Sequence, residues 1–453
     1  MKLVLRSAAV LLIAAAFARY LTSLEPQGDT LVLVGDVRRM IAAFKNGNGT
    51  GFGGQFGLLQ EIPATALELV GMSDAATVRM LAILNLLAFA GLLARAWAAA
   101  KTTSRPMAIG LVLVLLSSPL LWYARTSFGE MLAAYFTLSF AVRCGEAKPS
   151  AGLYVDGFLA GISKETAFLF LPILGVAAAA SNPIFRQDRA ARNAFVRALI
   201  AIALLSVVAN AAFNDFRFGT LTNRVYANPA FTVTFRDQAS FFAGLWLSPN
   251  GGVVVFWPVF FGLLVASVFV AKRSWRVARA PTARFAAVVP VAGISIAMLG
   301  LTLGLSRWAF PMGWVCWGNR FLVPWIPAFT YVLIGAYAPH LGEMVRRPAA
   351  SAWTSWLLPV VLGAIALPQF AVLFKPFMIS NFFAPDAAFP AAAVIQQDRE
   401  YYLRFINYLL WTKLTAWRDA YRLTPIDAAV FTSGCLVGIV SLWKSCVGHA
   451  RAR

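Results

Sequence analysis

Residues 153–179 read LYVDGFLAGISKETAFLFLPILGVAAA, an apolar stretch broken near its middle by Ser163, Lys164 and Glu165. A single helical pass needs about 20 apolar residues, so the stretch is long enough to cross a bilayer once. A single crossing would put every later segment on the opposite side. Two short helices meeting at Ser163–Glu165 would instead enter and leave on one side. The loops that follow decide between these readings. Compact basic clusters flank helix ends at Arg186, Arg189, Arg192 and Arg197, at Lys272, Arg273, Arg276, Arg279 and Arg284, at Arg346 and Arg347, and at Lys444, Arg451 and Arg453. Short Lys/Arg-rich loops belong on the cytoplasmic side. The alternating segments near 214–250, 306–320 and 374–424 are longer, aromatic and mixed in sign, and read as exterior. Both assignments hold only if 153–179 is a hairpin. Arms of about eleven residues at 1.5 Å each reach roughly half of a ~30 Å core, which sets the apex inside the membrane profile.

The whole chain fits this setting. Its 453 residues are 60% hydrophobic and 13% charged, with a mean hydropathy of +0.70, against about 25% charged residues in soluble domains. The fold class expected is all-α: a polytopic membrane helix bundle, one integral domain over 1–453, with about 12 membrane-buried helices. Apolar runs fall at roughly 75–98, 107–121, 128–142, 153–179, 197–213, 252–270, 285–305, 321–337, 353–373 and 425–443. Met1–Tyr20 reads as a retained first helix in preference to a leader cleaved after Ala18. Both termini are then cytoplasmic. A long first exterior loop spans 22–74, and an amphipathic helix is expected within 390–422 of the last exterior loop. The formal net charge of +20 sits between apolar runs and so encodes topology. It does not form the one-faced basic footprint of a nucleic-acid binder.

Candidate chemistry gathers on the exterior side. The first loop, containing EPQGDTLVLVGDVRRM and GFGGQFGLLQEIPATALELVG, carries Asp29, Asp36 and Glu61. The tight connection YARTSFGEM places Arg125 and Glu130 at helix ends. The hairpin apex adds Lys164 and Glu165, and SRWAFPMGWVCWGNR adds Trp317 and Arg320. Carboxylates accept hydroxyl protons and cations hold phosphate, while indole faces pack on sugar rings. Charges at helix ends can equally be solvated, and Trp is common at interfaces. Lys164, inside an apolar run, is the position where intramembrane charge most needs a function. The two histidines, His340 and His449, follow apolar runs near arginines and read as cytoplasmic, so an exterior base has to be a carboxylate. A histidine-rich zinc site is not expected on that face. Cys144, Cys316, Cys435 and Cys446 are scattered without a CxxC pair, and no structural disulfide is expected.

The order of these features resembles the GT-C class of membrane glycosyltransferases, the polyprenyl-phosphate-sugar-dependent enzymes related to protein mannosyltransferases and aminoarabinose transferases. The similar pieces are QGD ending in Asp29, YARTSFGE with Glu130, GFLAGISKETAFLFLP with Lys164, GLWLSPNGGVVVFWPVF, and WGNRFLVPWIPAF with Arg320. They cover most of the chain, each piece being short. Members often show Asp-Glu at the loop position where this chain has Asp29–Thr30, and Asp36 is the competing carboxylate. The resemblance implies a bacterial inner or plasma membrane enzyme that moves a sugar from a polyprenyl-phosphate donor to an acceptor hydroxyl. The acceptor class, whether glycan, lipid or protein, is left open. It further implies Asp29 or Asp36 as base, and Lys164, Arg320 and Arg125 holding the donor phosphate. Glu130, Glu61 and Trp317 are supporting, and no cofactor is specified, with a divalent cation left open. The rival readings are a twelve-helix transporter and a non-catalytic assembly or flipping partner. Against the transporter, the sequence shows no paired halves.

Overall fold

The computed structural model describes residues 28–47, 56–101, 105–116, 118–224, 232–247, 252–308 and 319–345, with Leu24 and Gly54 besides. Its helices, in chain order, are α1 (Gly28–Lys45), α2 (Leu58–Leu69), α3 (Asp74–Lys101), α4 (Arg105–Leu116), α5 (Leu120–Tyr123), α6 (Glu130–Gly145), α7 (Ala151–Gly161), α8 (Ala167–Ala179), α9 (Pro183–Gln187), α10 (Arg189–Phe218), α11 (Phe235–Leu247), α12 (Val253–Phe256), α13 (Pro258–Val277), α14 (Pro281–Ser306) and α15 (Ile326–Val345). Among the described residues there is no strand, only an isolated bridge between Thr232 and Trp308. Helices α3, α10, α13 and α14 are long and apolar enough to cross a membrane. The chain is an integral membrane protein. The expected total of about twelve, the runs at 353–373 and 425–443, the first helix and the amphipathic helix lie wholly or partly outside the described residues.

The stretch 153–179 forms two helices, α7 of 11 residues and α8 of 13. Ser150 caps the first by accepting from Leu153 N. Between them the chain turns at 162–166, where the Ser163 hydroxyl donates to Ala160 O at 2.6 Å and Ala167 N donates to Lys164 O at 2.9 Å. The position of this turn follows from packing on α10. A side chain at Gly157 would press on Ile202, and one at Gly161 would collide with Ser206. On α8, a side chain at Gly175 would meet Leu199 at 2.8 Å. Helix α7 therefore runs with α10 and α8 runs against it. Glycine at these contacts lets backbones approach as membrane helix pairs do.

Helix α10 has 30 residues, a length of about 45 Å. Asp188 caps its start and Gly219, at φ 65°, ends it in the left-handed conformation. Its two faces differ. Ile200, Leu204 and Val208 are exposed at helical spacing, as lipid-facing residues are in a bundle. On the other face Phe195, Leu199 and Ile202 are buried first, followed by Ser206, Asn210, Asn214 and Arg217. The interior thus changes from apolar to polar toward the Phe218 end.

The sequence reading places the basic clusters in loops, whereas Arg189, Arg192 and Arg197 lie within α10, and Lys272, Arg273 and Arg276 within α13. Hydrogen bonding within a helix does not stop at the hydrocarbon boundary, so the helices continue into the polar layer. The Arg186 and Arg273 clusters line one groove and so share one end of the bundle. The run at 107–121 is also divided, as α4 followed by the single turn α5.

Candidate active site

The polar row on α10 meets the hairpin apex and the first loop. Asn210 Nδ2 donates to Gly161 O at 3.2 Å, satisfying a carbonyl freed where α7 ends. One full turn beyond Asn214, Arg217 is completely buried. Its guanidinium donates to Phe56 O at 2.8 Å, Asn214 Oδ1 at 2.8 Å, Glu165 Oε1 at 2.8 Å and Glu61 Oε1 at 3.5 Å. The rings of Phe213 and Phe218 lie 4.4 and 4.7 Å from it. Asn223 adds a 2.9 Å hydrogen bond to Glu165. This cluster joins α2, the hairpin and α10. It also fixes the loop: Leu59 N donates to Ile162 O at 3.2 Å, and a Cβ on Gly57 would stand 2.6 Å from Ser163 O.

The first loop accordingly does more than lie along the surface. Leu33, Val37, Phe56 and Ala64 pack with Leu81 of α3 in a core of their own. Asp36 is buried as well, paired with Arg39 and covered by Gly54. Burial holds its carboxyl above the ordinary range, against the pull of Arg39 and Arg217. Glu61 is pushed up to about 7, chiefly by burial, with Arg217 opposing and Asp36 reinforcing the shift.

A second cluster lies on the other side of the apex. Glu130, the first residue of α6, is buried. Lys164 Nζ lies 3.0 Å from its Oε1 and Arg320 Nε 3.6 Å from the same oxygen. Phe321 lies under both cations, at 5.7 Å from Lys164 and 5.3 Å from Arg320, and Phe128 is 5.0 Å from Arg320. Arg320 starts a single 3-10 turn capped by Asn319, whose side chain accepts from Phe321 N at 3.0 Å. With Lys164, Arg320 and Glu130 ionised, two positive charges face one negative.

Of the residues expected from sequence, Glu130, Lys164 and Arg320 come together directly, and Glu61 stands in the neighbouring cluster through Arg217. Arg125 is buried in the connection leading to Glu130. Asp29 lies in the first turn of α1, its side chain outside the described residues, and Trp317 lies outside them altogether. Thr30, next to Asp29, is hydrogen-bonded to Ser127 of the same connection. Arg217 and Asn223 are absent from the sequence reading. The signal was the polar row Ser206, Asn210, Asn214, Arg217 at helical spacing, which becomes visible once α10 is extended beyond 213. No group of three or more His, Cys, Asp or Glu residues able to hold a metal occurs among the described residues.

No protein-family model matches the chain, and no curated protein matches it. Among solved structures, it is similar to ArnT from Cupriavidus metallidurans bound to undecaprenyl phosphate, at 17% identity and a TM-score of 0.43 over 98% of this chain and 78% of that one. The apo structure of the same protein gives 17% identity and 0.44 over the same shares.

Proposed function

We propose that this protein is a membrane glycosyltransferase that takes a sugar from a polyprenyl-phosphate donor and delivers it to an acceptor hydroxyl at the end of the bundle opposite the basic clusters. The observation that carries the reading is the Lys164–Arg320 pair around Glu130. Two cations from different parts of the chain converge there on one buried carboxylate, at the apex of a hairpin and among phenylalanine rings. Ionisable residues clustered inside an apolar bundle mark a functional site, and paired cations suit an anionic group. A lipid-borne phosphate reaches such a place from the bilayer itself.

The chemistry follows from charge. A phosphodiester donor carries one negative charge, and the phosphate gains a second as the bond from the sugar to its oxygen breaks. Fixed cations in a site poor in water stabilise this developing charge more than the ground state. On the other side of the sugar, Asp29 takes the proton of the acceptor hydroxyl as its oxygen forms the new bond, inverting the sugar carbon. The basic end faces the cytoplasm and the apex end faces outward, following the positive-inside rule.

The direct test is donor consumption by purified protein offered a panel of polyprenyl-phosphate sugars. With the donor it uses, Lys164→Met and Arg320→Gln should each weaken donor use about tenfold to a hundredfold, since charge-assisted contacts are worth roughly 1.5–3 kcal/mol. Wild-type donor affinity in both variants would reduce these residues to structural charges.

A further inference from the structure

At the basic end, helices α9, α13, α14 and α15 enclose a groove of about 530 Å³. Arg186, Arg273 and Ser274 line it together with the apolar Val270, Val277 and Ala286. Among the described residues lining it, none is acidic. Arg186 reaches Ser181 O through Nη2 at 3.4 Å, but its Nε is buried and has no hydrogen-bond partner among the described residues. A buried guanidinium N–H left open costs stability until an acceptor arrives.

The groove's level in the membrane can be read from α13. Val265, Val268 and Phe269 are exposed apolar side chains, and Lys272, Arg273 and Arg276 follow within two turns. Trp275 is about half exposed, with Arg284 of α14 lying 5.4 Å from its ring. Exposed apolar residues giving way to cations with a Trp among them mark the passage from acyl chains to headgroups. Arg284 also donates to Ala278 O, tying the rim of the groove together.

We propose that this groove binds the phosphate headgroup of an anionic phospholipid, with Arg186 and Arg273 on the phosphate and the upper acyl chain along Val270 and Ala287. Charge complementarity selects the headgroup, and the apolar wall continuous with the lipid-facing surface selects a lipid over a free anion. Basic pockets between membrane helices recognise anionic headgroups by this combination. The site is separate from the Lys164 cluster, which lies toward the other end of α10, and its existence does not depend on the transferase reading.

The test uses the full chain in neutral detergent, titrated with phosphatidylglycerol or phosphatidylcholine of equal chain length and read by native mass spectrometry. Phosphatidylglycerol should bind about tenfold or more tightly than phosphatidylcholine. Arg186→Gln with Arg273→Gln should bring the two lipids near parity, while the charge-matched pair Lys45→Gln with Arg79→Gln, outside the groove, leaves the preference intact. Ala286→Trp fills the groove with both arginines in place and should abolish the preference; it decides the matter if the double arginine variant fails to fold. A preference that survives Ala286→Trp, that falls equally in the charge-matched control, or that millimolar inorganic phosphate removes would overturn the proposal.

Discussion

Lys164 Nζ lies 3.0 Å from Glu130 Oε1, an oxygen that also faces Arg320 at 3.6 Å, so a single buried carboxylate is shared by two cations from different parts of the chain. Glu130→Gln keeps the shape of the side chain and removes the shared anion, making the site more positive by one charge. Binding of polyprenyl phosphate should hold or tighten, by up to about tenfold. Thermal stability should fall, because two cations then lose a buried carboxylate that they share. Titration of the purified variant with polyprenyl phosphate in detergent checks this. Lost binding in a folded Glu130→Gln protein would mean that Glu130 itself contacts the donor.

Much of this arrangement was legible in the sequence. The interruption SKE marked where the apolar run could turn, and the alternation of basic and aromatic loops after it required the hairpin. Glu130 and Arg320, charges at the ends of apolar segments, were likewise legible, as was Lys164 in the middle of one. Arg217 was not. Hydropathy closes α10 at 213, where apolar residues run out, but the helix continues to Phe218 because Arg217 finds Glu165, Glu61 and Asn214 inside the protein. Hydropathy records the average environment of a segment, and a buried ion cluster is an exception that only tertiary contacts create. The folding of the first loop into α1 and α2 was missed for a related reason. Its apolar positions are too few for a membrane span, yet sufficient for a small core against Leu81.

Glu61 makes the loop's stability depend on pH. Its carboxyl is raised from 4.5 to about 7 in the folded protein, chiefly by burial. The folded state therefore retains a proton that the unfolded chain releases between these values. Its contribution is favourable at low pH, declines as pH rises from about 4.5 to about 7, and stays lost above that. The shift corresponds to roughly 3 kcal/mol. The wild type should melt at a higher temperature at pH 5 than at pH 8, and Glu61→Gln should flatten this dependence and raise the midpoint at pH 8. An unchanged pH dependence in Glu61→Gln would assign the titration to another group.

Orientation can be read with single cysteines. Ser181 lies beside the basic groove, and Thr222 follows the far end of α10; both are exposed. In a background with Cys144, Cys316, Cys435 and Cys446 replaced, an impermeant thiol reagent applied to intact cells should label a cysteine at 222 and spare one at 181. Labelling at 181 alone would invert the protein in the membrane and place the Lys164 cluster toward the cytoplasm.

The choice of base separates Asp29 from Asp36. Asp29 stands in the first turn of α1, next to Thr30, whose hydroxyl is bonded to Ser127 in the connection that leads into Glu130. That contact holds the start of α1 near the proposed phosphate site. Asp36, two turns later, is buried beneath Gly54 and paired with Arg39, a position that suits packing better than contact with an incoming hydroxyl. A general base contributes typically about 10²- to 10⁴-fold. Asp29→Asn should therefore cut turnover by about that factor while expression and polyprenyl-phosphate binding remain. Asp36→Asn keeps the shape of the packed side chain and removes a carboxylate whose ionised form burial disfavours, so the melting temperature should hold or rise and turnover at 25 °C stay nearly unchanged. The measurement is initial transfer rate at saturating donor, set beside the melting temperature of each variant. If Asp36→Asn abolishes transfer without lowering the melting temperature and Asp29→Asn does not, the base is Asp36, and the acceptor must approach between α1 and the loop at Gly54. If neither substitution slows transfer, proton removal lies elsewhere, with Glu61, whose carboxyl titrates at about 7, as the next group to replace.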